Sequence, residues 1–155
     1  NAGANAAVPF LDIGADLFES LWRQSAFGGF LVGREAVRHM LPRARGTIIF
    51  TGATASLRAR PPFTAFASAK AALRAVAQGM AREFGPQGIH VAHVVIDGVI
   101  DGDYAGRNFP ELVRAKGDNG LLDPEAIARV YWDLHRQDAT AWTHELDLRP
   151  FKEPF

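Results

Sequence analysis

Ile89 to Ile96 reads Ile-His-Val-Ala-His-Val-Val-Ile, an almost unbroken apolar run set between Gly88 and Asp97-Gly98. Such a run offers no polar face to water and is suited to burial on both sides, the situation of an inner strand in a parallel sheet. Thr47 to Thr51, introduced by Gly46, is a second short β-branched run. Trp142 to Leu148 is a third, with Thr143, Glu145 and Asp147 alternating with His144, Leu146 and Leu148.

Helical periodicities lie between these runs. Leu17, Leu21, Ala26, Phe30, Gly33, Val37 and Met40 predict one long helix from Asp16 to Leu41, with Asp16 and Glu19 as a capping box. A second is predicted from Phe63 to Phe84, opened by Pro61-Pro62 and stopped by Gly85-Pro86. A third starts at Asp123-Pro124-Glu125, with Asp as cap and Pro at the first position, and continues to Arg136. Val99 to Leu122 is irregular and polar, with one short helix at Pro110 to Lys116, and reads as a mobile segment beside a site. Helix and strand alternate along the whole chain. That order predicts an α/β fold, a doubly wound parallel sheet with right-handed crossovers and helices on both faces.

At 155 residues the chain suffices for one domain and is too short for two. Seventeen basic and seventeen acidic side chains cancel, so no general attraction for nucleic acid or an anionic membrane is implied. The absence of Cys excludes thiolate chemistry and a disulfide framework. No segment reaches the length of a membrane span, and a soluble, cytoplasmic protein is expected. His90 and His93 have opposite strand parity and cannot chelate one metal together, while His39, His135 and His144 lie in separate elements, so no metal is expected. Asp97, Asp101 and Asp103 cluster after a strand, where they could bind a cation or act as a base, although turn-making and solvation are the commoner reasons for such acids.

The second helix opens Phe-Thr-Ala-Phe-Ala-Ser-Ala-Lys-Ala-Ala-Leu from Phe63 to Leu73. Phe66 and Lys70 stand four residues apart, on one helix face. This stretch resembles the Tyr-x-x-x-Lys helix of the short-chain dehydrogenase/reductase family, with Phe66 at the place of the catalytic tyrosine. Asn1-Ala2-Gly3 resembles the Asn-Ala-Gly turn after the family's fourth strand. The resemblance covers the second half of the family's Rossmann-like, three-layer α/β/α domain, so residues 1–155 are expected to be a single partial domain whose N-terminal, phosphate-binding half is absent from the chain. Gly98 and Gly102 follow a strand without opening a helix and form no phosphate cradle.

By the same resemblance, the chain implies an oxidoreductase using NAD or NADP. Lys70 takes the place of the lysine that holds the nicotinamide ribose. Ala53, thirteen residues before Phe66, stands where the family has its substrate-binding Ser, and Ser25 stands where it has a water-holding Asn. Asp97-Gly98 replaces the usual Pro-Gly. The catalytic candidates are Lys70, Ser25 and Thr54, the last being the first hydroxyl beside the lost Ser, with Ser56 after it. The cofactor candidates are Asn1, Ala2, Gly3, Lys70, Asp97, Gly98, Val99 and Ile100. Two functions follow: an oxidoreductase with an altered proton donor acting on a small molecule, or a non-catalytic relative serving as a nucleotide-binding or protein-interaction scaffold. A homodimer or homotetramer is expected through the two long helices, whose Gly28, Gly29, Gly33, Ala67, Ala71 and Ala75 allow close approach.

Overall fold

The computed structural model of the protein describes residues 4–154. Three strands, β1 (Gly46–Thr51), β2 (Ile89–Ile96) and β3 (Glu145–Leu148), form a parallel sheet in the order β1-β2-β3. Every residue of β2 is buried, because the strand is flanked by a neighbour on each edge and by helices on each face. Ile89 and Val91 face one side, where Phe50, Leu73 and Ala77 complete a core with α3 (Thr64–Phe84). Ala92, Val94 and Ile96 face the other, packed on Leu122 and on Leu134 of α6 (Pro124–Arg136). Each buried Val or Ile contributes about 1.5–3 kcal/mol relative to exposure, which makes β2 the strand on which the layers depend.

The long first helix is interrupted. It runs as α1 (Ala15–Trp22), one turn of π-helix over Arg23–Phe27, and α2 (Gly28–Met40). Its start also differs from expectation: Gly14 is the N-cap and no side chain bonds the first turn, so Asp16 and Glu19 form no capping box. Glu19 instead pairs with Arg23, four residues on. Gly29 and Gly33 turn inward, where an added Cβ would meet Leu73 at 2.3 Å and Met80 at 2.9 Å. They let α2 lie close to α3 within the chain.

The left-handed residue that ends the α3 turn is Gly88 rather than Gly85. Its φ is +84°, and a Cβ there would lie 2.1 Å from the Ala44 carbonyl oxygen. The Asp123 cap is as expected, its carboxylate accepting from the Glu125 and Ala126 backbone N–H groups. The third strand is shorter than its sequence run, since Thr143 is bonded to Gln137 and Trp142 stacks on His90 before the ladder begins.

Residues 99–122 are more ordered than their polarity suggests. They hold two short helices, α4 (Asp103–Asn108) and α5 (Pro110–Lys116), and the sequence indicated only the second. A parallel bridge between Ile100 and Leu122 closes the neck of the segment.

Candidate functional site

The C-terminal ends of the three strands lie together, and in open α/β sheets the ligand crevice lies outside those ends. Lys70, on α3, reaches the end of β1, where its ammonium donates to the Thr51 carbonyl oxygen at 2.9 Å. The ring of Phe66, one turn earlier, lies 5.9 Å from the same nitrogen. Burial pushes the Lys70 pKa down from its ordinary value, because a desolvated ammonium favours its neutral form.

Ala53 and Thr54 follow β1. The Ala53 backbone N–H donates to the Ser56 hydroxyl at 3.0 Å, an ordinary turn-closing role for Ser56. The Thr54 hydroxyl donates to Asp97 Oδ1, so its single proton is already committed. Ser25 sits in the π-helical turn, 5 % exposed, and its hydroxyl has no partner among the described residues. A wide turn of this kind often marks a functional site.

Asp97 departs from the solvated loop acid that its cluster suggested. It is 4 % exposed, and besides Thr54 its carboxylate accepts from Arg58, at 3.0 Å, and from Arg149. Thr54 and Arg58 follow β1, Asp97 ends β2 and Arg149 follows β3, so one carboxylate ties together the loops of all three strands. Two guanidiniums occupy the place where a cation would have to sit, whereas Asp101 and Asp103 are exposed. Gly98 lies under Pro150, and Val99 and Ile100 enter the 99–122 segment, with the Val99 carbonyl accepting from Leu122 N. The cofactor candidates Asn1, Ala2 and Gly3 fall outside the described residues.

Arg58 and Arg149 escaped the sequence reading because they lie 39 and 52 residues from Asp97, beyond any periodicity. The available signal was an acid at the end of a strand buried on both faces, which demands a cation. A second, half-buried network was also missed. Arg74, on α3, grips Glu145 with two hydrogen bonds of 2.6 and 2.7 Å, and His93 Nδ1 lies 2.9 Å from the same carboxylate. Facing a carboxylate, Nδ1 carries the proton. Nε2 then packs against Gly52, where an added Cβ would meet it at 2.3 Å, so the bare glycine before Ala53 makes room for this ring.

The Arg74 guanidinium, with His93 in second place, holds the Glu145 carboxyl down at about 2, and burial pushes the His93 pKa down. Both shifts have one sign. As pH falls below about 6.5, an unfolded chain protonates His93 while the folded one resists, and from about 4.5 toward 2 the same holds for Glu145. Stability should therefore fall in two steps on acidification. Urea denaturation from pH 7 to 5 should show a slope flattened by up to about 1.4 kcal/mol per pH unit in His93→Gln; an unchanged slope would exclude the first step.

A family model described as short chain dehydrogenase matches residues 1–111. The gluconate 5-dehydrogenase of Gluconobacter oxydans (strain 621H) is 29% identical over 113 residues, a match covering 73% of this chain and 42% of that protein. The crystal structure of a short-chain dehydrogenase from Rhodopseudomonas palustris is 43% identical with a TM-score of 0.78, over 97% of this chain and 60% of that one. A gluconate 5-dehydrogenase from Burkholderia cenocepacia J2315, in complex with NADP and tartrate, shares the fold at a TM-score of 0.80 and 22% identity, over 97% of this chain and 61% of that one. The chain thus spans less than two thirds of the length of each relative.

Proposed function

Because the chain belongs to the short-chain dehydrogenase family, we propose that it is the substrate-side part of a nicotinamide-dependent oxidoreductase whose two usual proton-donor positions are replaced, by Ala53 and Phe66. The observation that carries this reading is the Lys70 ammonium, half-buried at the end of β1 with one N–H on the Thr51 carbonyl. An ammonium has three donors, and the remaining two suit a pair of ribose hydroxyls. A burdened, desolvated cation at this place is explained by a ligand better than by stability. NAD or NADP would supply or accept hydride; Lys70, Asp97, Gly98, Val99 and Ile100 would face its nicotinamide end, and Asn1, Ala2 and Gly3 are assigned to it by resemblance alone.

Carbonyl reduction also needs a proton, and general acid help is typically worth roughly two to four powers of ten in rate. The Phe66 ring has no proton to give, Ala53 has no hydroxyl, and Thr54 has turned its own toward Asp97. The proton carrier left on the α3 face is Lys70, whose lowered pKa makes it a better acid. Ser25, in its wide turn, keeps a hydroxyl for the water that would recharge it. The commitment of Thr54 equally favours the second reading, a relative that binds nucleotide without turning it over.

We further propose a homodimer or homotetramer formed through the long helices, supported by Phe18, Trp22, Phe30 and Val32, which are exposed along α1 and α2. Among the described residues no helix is long and apolar enough to cross a membrane, and with no Cys in the chain a cytoplasmic site is proposed.

The test is NADH and NADPH titration of the full-length protein, followed by fluorescence. Binding should be measurable for one of them and weakened about tenfold or more in Lys70→Met, the loss of one or two charge-assisted hydrogen bonds. Binding without turnover of any carbonyl would favour the scaffold. No binding of either nucleotide would overturn both.

A further inference from the structure

A second cleft lies at the opposite end of the sheet, where β1 and β2 begin. Its volume is about 690 Å³, and its walls include Gly46 and Gly88 at the strand starts, Arg43 and Arg45 between α2 and β1, and Arg136 at the end of α6. Among the described residues no acidic side chain lines it. Arg43 Nε donates to the Arg45 carbonyl, while the Arg45 and Arg136 side chains have no hydrogen bond or ion pair within the described residues. Most other arginines of the chain are paired with an acid, Glu19, Glu35, Glu145 and Asp97 among them, whereas Arg82 bonds only the Gln78 carbonyl and Arg60, like Arg45 and Arg136, has no side-chain partner among the described residues.

Exposed arginines alone would be ordinary solvated side chains. His90 sets the cleft apart. It forms part of the wall, is 3 % exposed, and stacks on Trp142 with ring centroids 4.8 Å apart and planes 3° from parallel. Its Nε2 faces the Thr143 carbonyl at 2.9 Å and so carries the ring proton. Nδ1 is then a buried acceptor, and it has no partner among the described residues. A buried polar atom left unmatched costs about 1–3 kcal/mol. Cavity, uncompensated positive charge and a waiting acceptor thus coincide.

We propose that this cleft binds a phosphoryl-bearing small molecule, with its anionic oxygens on Arg43, Arg45 and Arg136 and one of its hydroxyl or amino groups donating to His90. Planar guanidinium forks match phosphate oxygens in pairs. A phosphoryl group carries about two negative charges at neutral pH, which suits three guanidiniums better than a single carboxylate does. The source is inorganic phosphate chemistry or a nucleotide, and the two are separable. The proposal is independent of the nicotinamide crevice at the other end of the strands.

Calorimetric titration of the full-length protein with inorganic pyrophosphate, ADP and adenosine, each with and without saturating NADH, tests it. Pyrophosphate and ADP should bind whether or not NADH is present, and adenosine should not. Equal affinities would identify the phosphoryl groups alone as the ligand; tighter ADP, reduced to the pyrophosphate level in Trp142→Leu, would identify a nucleotide. Arg45→Ser with Arg136→Ser should weaken both anions about tenfold or more, with NADH affinity and thermal midpoint unchanged, since both side chains are exposed. Absence of anion binding, displacement by NADH, adenosine binding as well as ADP, or indifference to the double substitution would each overturn it.

Discussion

Asp97→Asn is expected to lower the stability of the fold by about 3 kcal/mol or more, among the largest costs of any isosteric change in the chain. The side chain stays the same size, so no cavity opens. What is lost is the charge that compensates Arg58 and that shares Arg149 with Asp147, the two guanidinium side chains being 37% and 15% exposed, together with one acceptor site for the Thr54 hydroxyl. Removing one partner of a buried pair leaves the other uncompensated, which is costlier than the pair is stabilising. Urea denaturation at neutral pH measures it. Arg58→Met should cost clearly less, because that guanidinium is the more solvated of the two. A cost below about 1 kcal/mol for Asp97→Asn would mean that the carboxylate behaves as a surface ion pair, and its three hydrogen bonds would have to be reread.

The largest functional effect is expected from restoring both proton-donor positions. Phe66→Tyr alone should gain little, because Ala53 still offers no hydrogen bond to polarise a carbonyl, and Ala53→Ser alone supplies polarisation without an acid. The double variant should exceed the product of the two single gains and reach about a hundredfold or more over the unmodified protein, since groups that act as a unit are non-additive. Lys70→Met in that background should abolish the gain: a restored phenol would sit beside no cation, and its pKa would not be drawn toward neutrality. Turnover of a panel of small ketones and aldehydes by full-length protein, with both nicotinamide cofactors, checks it. Brisk reduction by the unmodified protein would show that Ala53 and Phe66 are no handicap, and would move attention to Ser25 and Lys70 as the groups handling the proton.

Local signals carried the fold reading far. The run Ile89 to Ile96, the Asp123-Pro124 cap and the β-branched run from Thr47 each describe their own neighbourhood, and burial of β2 on both faces enforces what they describe. The same locality explains the misses. An interruption of the first helix cannot be read from a periodicity tolerant of one residue, and the short α4 has neither the length nor the cap that announces a helix. Lys70 stands out in the sequence because a motif at fixed spacing marks it. Arg58 and Arg149 do not, because their meaning arises only when the sheet brings three strand ends together, and Arg74 and Glu145, 71 residues apart in the sequence, meet only in the folded chain. A charge is placed by sequence, but its partner is placed by topology.

The wide turn at Arg23–Phe27 has a bearing on which length changes this chain can tolerate. Leu21 and Gly33, both buried, are twelve residues apart. At roughly 100° per residue, an unbroken α-helix would set them roughly 120° apart around its axis. A π-turn takes up about one residue without advancing the helix, which brings the two within roughly 20° of one another. That is why α1 and α2 can both lie along α3. A one-residue deletion inside 23–27 would leave a perfectly good helix with α1 swung away from its neighbour. The reading frame of the fold, in this sense, is kept by a single surplus residue, and insertions or deletions before Gly28 should survive only where they preserve it.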